Sequence, residues 1–176
     1  MKKWLEYRVF QELKQSTTNT FYIELFVDRQ NRREKIYSGI IALFSLFGFV
    51  SALISFFSNS VSLPIIGIVC TTISWGTVIF NKFNNIFLLS ADDATKLPRI
   101  YVHISKYSDE LQNLLFQIRK EQINIIEGQE KLTELNVKNS GYKIEASTIF
   151  GKMDKKLNKK AADKSDNYLN PIYNDD

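Results

Sequence analysis

His103 and Cys70 are the single histidine and the single cysteine in 176 residues. A zinc site, a Cys–His dyad or a Ser–His–Asp triad needs more ligands or partners than one chain of this kind supplies. One thiol also rules out a disulfide framework. No glycine-rich phosphate loop is present, and a lipid-modifying enzyme would lack a nucleophile with its base. The sequence therefore argues against an enzyme and asks for no cofactor and no metal; His103 reads as a surface residue. What does recur with regular spacing is a set of small and hydroxyl residues. Ser38, Ala42, Ser45, Gly48, Ala52 and Ser55 follow one another at steps of four, three, three, four and three. Gly67, Thr71 (or Cys70), Ser74, Thr77 and Asn81 draw a matching stripe. Two roles fit such stripes: close helix packing with hydroxyls bonding across the seam, or the lining of a weakly polar path in an assembly.

Both stripes lie on uncharged runs. Residues 36–57 hold 22 residues without a charge and residues 61–80 hold another 20, with only Ser58, Asn59 and Ser60 between them. About 20 apolar residues at ~1.5 Å rise cross the ~30 Å hydrocarbon layer. The expected fold is all-α, a two-span transmembrane helical hairpin with cytoplasmic helical extensions forming a helix bundle or coiled coil. Ser62 is placed to cap the second helix, and Pro64 falls in its first turn, where a missing N–H costs nothing. Leu43, Phe44, Leu46, Phe47, Phe49, Phe56 and Phe57 fall largely off the first stripe and suit lipid contact. Arg29, Arg32, Arg33 and Lys35 precede the first span, Lys82 follows the second, and the connecting turn has no Lys or Arg. The positive-inside rule then puts both termini in the cytoplasm.

The flanking segments read as helical. In residues 1–35, Trp4, Leu5, Val9, Phe10 and Leu13 share one face; Ser16–Asn19 suggest a break, with a new helix capped by Thr20 and running without Pro or Gly into the first span. That continuity would let a cytoplasmic movement reach the membrane. The region 81–138 carries eight basic and eight acidic residues; a helix continues to about Ala94, and Pro98 suggests a break with a restart near Arg99. From there Ile100, Ile104, Tyr107, Leu111, Leu114, Ile118, Glu121, Ile125, Gly128, Leu132 and Leu135 alternate steps of four and three for five heptads. Such a seam needs a partner helix. The chain's own helices near 5–26 and 83–94 could supply it, or the same seam of another protomer. Ser140–Gly141 read as a helix stop. Residues 139–176 are expected to be a basic, flexible tail, with six lysines against two aspartates in 151–164. Such a run attracts anionic headgroups or nucleic acid, or stays solvated. A net charge of +4 is modest, and no direct nucleic-acid binding is expected.

The layout at roughly 20–138 resembles the SLATT family, the SMODS- and SLOG-associating two-transmembrane effectors of bacterial antiphage systems. The matching features are the basic RQNRREK (29–35), the two runs with their minimal SNS turn, and the long helix from about Arg99. The resemblance implies a bacterial inner-membrane effector that oligomerises and permeabilises or disrupts the bilayer when a cytoplasmic signal, a nucleotide second messenger or a partner protein, triggers it. The competing expectation is a membrane-anchored helical scaffold that binds or regulates a cytoplasmic partner.

Overall fold

The computed structural model describes residues 2–58, 62–84, 90–151 and 153–174. The chain is all-α: among the described residues there are five helices and no strand, α1 Lys2–Ser58, α2 Ser62–Asn84, α3 Ala91–Arg119, α4 Ile125–Phe150 and α5 Lys155–Asn174. It divides into two compact units, Met1–Phe26 with Ala91–Asp176 (unit 1) and Val27–Ser90 (unit 2), so the boundary falls inside α1.

Unit 1 packs the start of α1 with α3, α4 and α5 around one apolar core. Leu5, Val9 and Leu13 of α1 meet Tyr107, Leu111, Leu114, Leu115 and Ile118 of α3, Leu132 of α4 and Leu169 of α5. Of the expected seam, Ile100, Ile104, Tyr107, Leu111, Leu114, Ile118 and Leu132 are buried, and Ile125 and Leu135 are partly buried against the core. The seam's partners are thus helices of the same chain, α1 among them. It is not one helix of five heptads, however. α3 ends at Arg119, and Glu121 takes a left-handed backbone (φ 55°). The Gln122 N–H then bonds the Gln117 carbonyl (2.9 Å) and the Glu121 N–H the Ile118 carbonyl (3.2 Å), the double bond that closes a helix end. Asn124 caps α4 by accepting from the Glu127 N–H (2.9 Å). Heptad register survives because the chain reverses and both arms face the same core. Gly128 breaks the apolar pattern for a packing reason: a Cβ there would stand 2.9 Å from Leu5 Cδ2.

Three expected boundaries shift. Ser16–Asn19 do not interrupt α1: Ser16 turns inward and donates to the Ile104 carbonyl (3.3 Å), while Thr18 and Thr20 donate back to Lys14 and Ser16 carbonyls. Pro98 lies inside α3 and leaves it unbroken, its ring on the exposed side. α4 runs through Ser140–Gly141 and ends at Gly151, whose φ is +54°. The expected continuation of α2 through Ile86, Phe87 and Leu88 lies outside the described residues.

The expected flexible tail is instead a packed helix. Asp154 accepts from the N–H groups of Lys156 (2.8 Å) and Leu157 (3.1 Å) and so starts α5. Ala161, Ser165 and Leu169 recur every four residues and are buried. Asp166 pairs with Lys14 (2.5 Å), and Arg119 reaches both Glu6 (2.6 Å) and the Ile172 carbonyl (2.7 Å). Lysines dominate the local composition, but the apolar face of the helix is narrow and complete. His103 is not bare surface either, since its ring stacks on Tyr142 at 3.9 Å.

One polar cluster sits within the core. The Tyr107 phenol lies 2.6 Å from Asn136 Oδ1 and 3.3 Å from Glu12 Oε2, and Lys143 reaches the same Glu12 oxygen (3.3 Å). Burial, then the charge of Glu12 and its hydrogen bond, push the Tyr107 phenol well above its ordinary value of 10.0. In the unfolded chain the phenol ionises first, so this contribution is whole below pH 10 and drains away as pH climbs past it. We expect Tyr107→Phe to cost about 1–2 kcal/mol at neutral pH through the half-buried acceptors it abandons. The variant should also lose less of its remaining stability above pH 10 than the parent does; urea midpoints measured across that range check both. A residual alkaline slope remains from Tyr101, whose phenol is raised by its hydrogen bond to Glu24.

Candidate functional site

In unit 2 the second part of α1 and α2 run antiparallel. Tyr37 donates its hydroxyl to the Thr77 carbonyl (3.3 Å) near one end, and Gly48 meets Gly67 further along. A Cβ on Gly48 would stand 2.9 Å from Thr71 Cγ2 and 3.4 Å from the Gly67 oxygen; one on Gly67 would stand 3.3 Å from the Gly48 oxygen. Two backbones approach this closely only where neither carries a side chain. By contrast, a Cβ on Gly39 or Gly76 would meet nothing within 4 Å. Helix propensity gains nothing from those two glycines, and the structure gives no packing reason for them.

The surroundings are inverted relative to a protein core in water. The inward positions are Gly48, Ser51, Gly67 and Ser74, all buried. The outward ones are Ile36, Leu43, Leu46, Phe47, Phe49 and Phe57, the last 82% exposed. Among the described residues one helix, α1, is by length and composition long and apolar enough to cross a membrane, and only 11% of its most apolar stretch is buried. A soluble core helix would show the opposite. The apolar part of α2 among the described residues, Ile65–Ile79, is shorter.

The stripes are only partly brought together. Gly48 and Gly67 are buried at the crossing, Ser74 is buried further along α2, and Ser55 and Thr77 are half-buried. Ser38, Ala42, Ser45, Ala52 and Thr71 are exposed, so the first stripe is not a continuous seam. Ser45, Gly48, Ala52, Thr71 and Ser74 instead border an open groove of about 450 Å³, walled also by Phe49 and Trp75. Ser51, 9% exposed, was missed. It falls between Gly48 and Ser55 at steps of three and four, a spacing that would have found it. The hydroxyls described on α2 do not bond across the seam as expected. Thr71 donates to the Gly67 and Ile68 carbonyls, Thr72 to Ile68, Ser74 to Cys70 and Thr77 to Ile73, all on their own helix. A hydroxyl that finds a carbonyl one turn back needs no partner helix.

Of the basic flank, Arg32, Arg33 and Lys35 are exposed and Arg29 is half-buried. The side chains of Asn81 and Lys82 lie outside the described residues. Among the described residues no group of three or more His, Cys, Asp or Glu side chains converges to hold a metal. A second cavity, about 230 Å³, lies in unit 1 beside Tyr22, Lys143 and Phe150, and Lys143, the cation on its wall, is engaged with Glu12 (3.3 Å).

No protein-family model, curated protein or solved structure matches the chain. Function must therefore be argued from the glycine crossing, its groove and the inverted exposure around them.

Proposed function

We propose that this chain is a membrane effector of a bacterial conflict system, which self-assembles and permeabilises or disrupts the inner membrane when triggered from the cytoplasm. The observation that carries the reading is the inverted unit 2: large apolar side chains outward, glycines and serines inward. Lipid solvates such a surface and water does not. The uncharged runs at 36–57 and 61–80 support a hairpin of two spans, and the basic residues flanking them support cytoplasmic termini. Two helices enclose no water path, so permeation requires several protomers. The unit 1 seam is occupied within the chain, which leaves the groove bordered by Ser45, Ala52, Thr71 and Trp75 as the surface for association. The α2 hydroxyls, bonded to their own helix, favour a dry resting pair, and opening needs the helices to move. The sequence resemblance supplies the conflict-system context.

The scaffold reading is favoured by one observation: unit 1 has a complete core of its own, as a partner-binding bundle would. Exchanging residues 36–80 for an unrelated two-span anchor separates the two. We expect the exchange to eliminate release of an entrapped dye from liposomes carrying the full chain, assayed with and without candidate nucleotides. Retained activity in the exchanged chain would instead identify a scaffold.

A further inference from the structure

The basic residues of α5 are arranged with a regularity that the bundle does not explain. Lys155, Lys156, Lys159, Lys160 and Lys164 spread over the half of α5 opposite Ala161, Ser165 and Leu169, and every one of them is exposed. Among the described residues none of the five comes within 4 Å of a carboxylate; Lys164 instead lies over the Phe21 ring at 5.7 Å. Of the nine described lysines elsewhere in unit 1, six find acids: Lys2 with Glu121, Lys14 with Asp166, Lys96 with Asp92, Lys131 with Glu127, Lys138 with Glu110 and Lys143 with Glu12. Asp163 is the one acid inside the lysine arc.

The placement also runs against helix stability. Lys155 and Lys156 occupy the first turn, which carries no acid, and cations at a helix N-terminus oppose the aligned peptide dipoles. Asp154 offsets part of this as the cap. Five like charges within about 14 Å of helix repel one another until a polyanion neutralises them.

We propose that the lysine face of α5 docks on the anionic phosphate headgroups of a lipid bilayer surface. The apolar face of the helix is used by the bundle, so the contact is electrostatic, with no insertion of α5. Two features favour headgroups over nucleic acid. No aromatic residue interleaves the lysines to stack on a base, since Tyr168 lies past them and packs edge-on to Phe21 at 6.1 Å. The chain also carries a helix apolar enough to hold it at a membrane. The proposal rests on that membrane placement and not on permeabilisation.

The test uses the full chain in nanodiscs of phosphatidylcholine, with and without phosphatidylglycerol, and reads acetylation of each lysine by mass spectrometry. One lysine at an anionic surface is worth on the order of fivefold in partitioning. Lys155, Lys156, Lys159 and Lys160 should therefore be protected about fivefold or more in the anionic discs. Raising salt to about 1 M, where the screening length falls to ~3 Å, should remove the protection. Lys3 and Lys106, exposed and off α5, should label equally in both discs. Substituting all four by Gln should leave the circular dichroism spectrum unchanged and cut salt-sensitive flotation of the chain with anionic vesicles. Equal labelling in the two discs overturns the proposal, as does protection that appears only when single-stranded RNA is added. Failure of the membrane reading is seen separately, as a chain that high salt strips from phosphatidylcholine vesicles. In that case flotation with anionic vesicles alone, lost in the Gln variant, still supports the lysine face, and its absence overturns it.

Discussion

Gly48→Leu is expected to abolish dye release by the assembled chain while leaving the protein inserted and resistant to alkaline carbonate extraction. The reason is geometric. A side chain at position 48 begins 2.9 Å from Thr71 Cγ2 and 3.4 Å from the Gly67 oxygen. Thr71 cannot swing its methyl aside freely, because its hydroxyl is bonded to the Gly67 (3.0 Å) and Ile68 (2.9 Å) carbonyls and a β-branched side chain in a helix has few rotamers. The helices must separate instead. Overpacking of this kind costs about 1–3 kcal/mol, roughly a 5- to 150-fold shift in the pairing equilibrium. Ser74→Leu, at a position 6% exposed about two turns along α2 from Gly67, should fail in the same way. Gly39→Leu is the control: nothing lies within 4 Å of its added Cβ, and release should match the parent. Full release from both Gly48→Leu and Ser74→Leu, with insertion intact, would take the crossing out of the mechanism.

That contrast between Gly48 and Gly39 also marks the limit of what the sequence told. A small-residue stripe identifies candidate contacts, and of its positions the structure buries Gly48, Gly67 and Ser74. Spacing could not say which rungs touch, because a crossing angle brings two helices together over only a few residues. Ser38 and Ala42 keep the spacing but stand exposed. In unit 1 most of the apolar seam was legible as buried or partly buried positions, yet its helix was not. Apolar residues at steps of three and four read the same whether the chain continues or folds back with both arms on one core. The reversal was written in Asn124 and Glu127, an N-cap followed three residues later by Glu. Ser16–Asn19 misled for a different reason: tertiary contacts with Ile104 and Ser108 gave the Ser16 hydroxyl bonds inside the bundle, which local propensity does not foresee. The tail misled because lysine count outweighed the sparse apolar face of Ala161, Ser165 and Leu169.

Leu111→Ala should produce the largest loss of folding stability in unit 1, about 2–5 kcal/mol. Leu111 is 0% exposed and belongs to the core that joins α1, α3, α4 and α5, so truncation leaves a hole bordered by side chains from other helices. The manner of the loss is as informative as its size. A seam closed by the chain's own helices unfolds at a urea midpoint that does not depend on protein concentration, in the parent and in the variant alike. A seam closed between protomers makes both midpoints rise with concentration, because dissociation is then part of unfolding. Circular dichroism of the full chain in detergent, followed through urea at several concentrations, decides between them. Ile126→Ala, on α4 at a side chain 70% exposed, should shift the midpoint by no more than about 0.5 kcal/mol equivalent. A concentration-dependent midpoint would move the assembly interface from unit 2 into the bundle, and a change at Ile126 as large as that at Leu111 would place it on the outer face of α4.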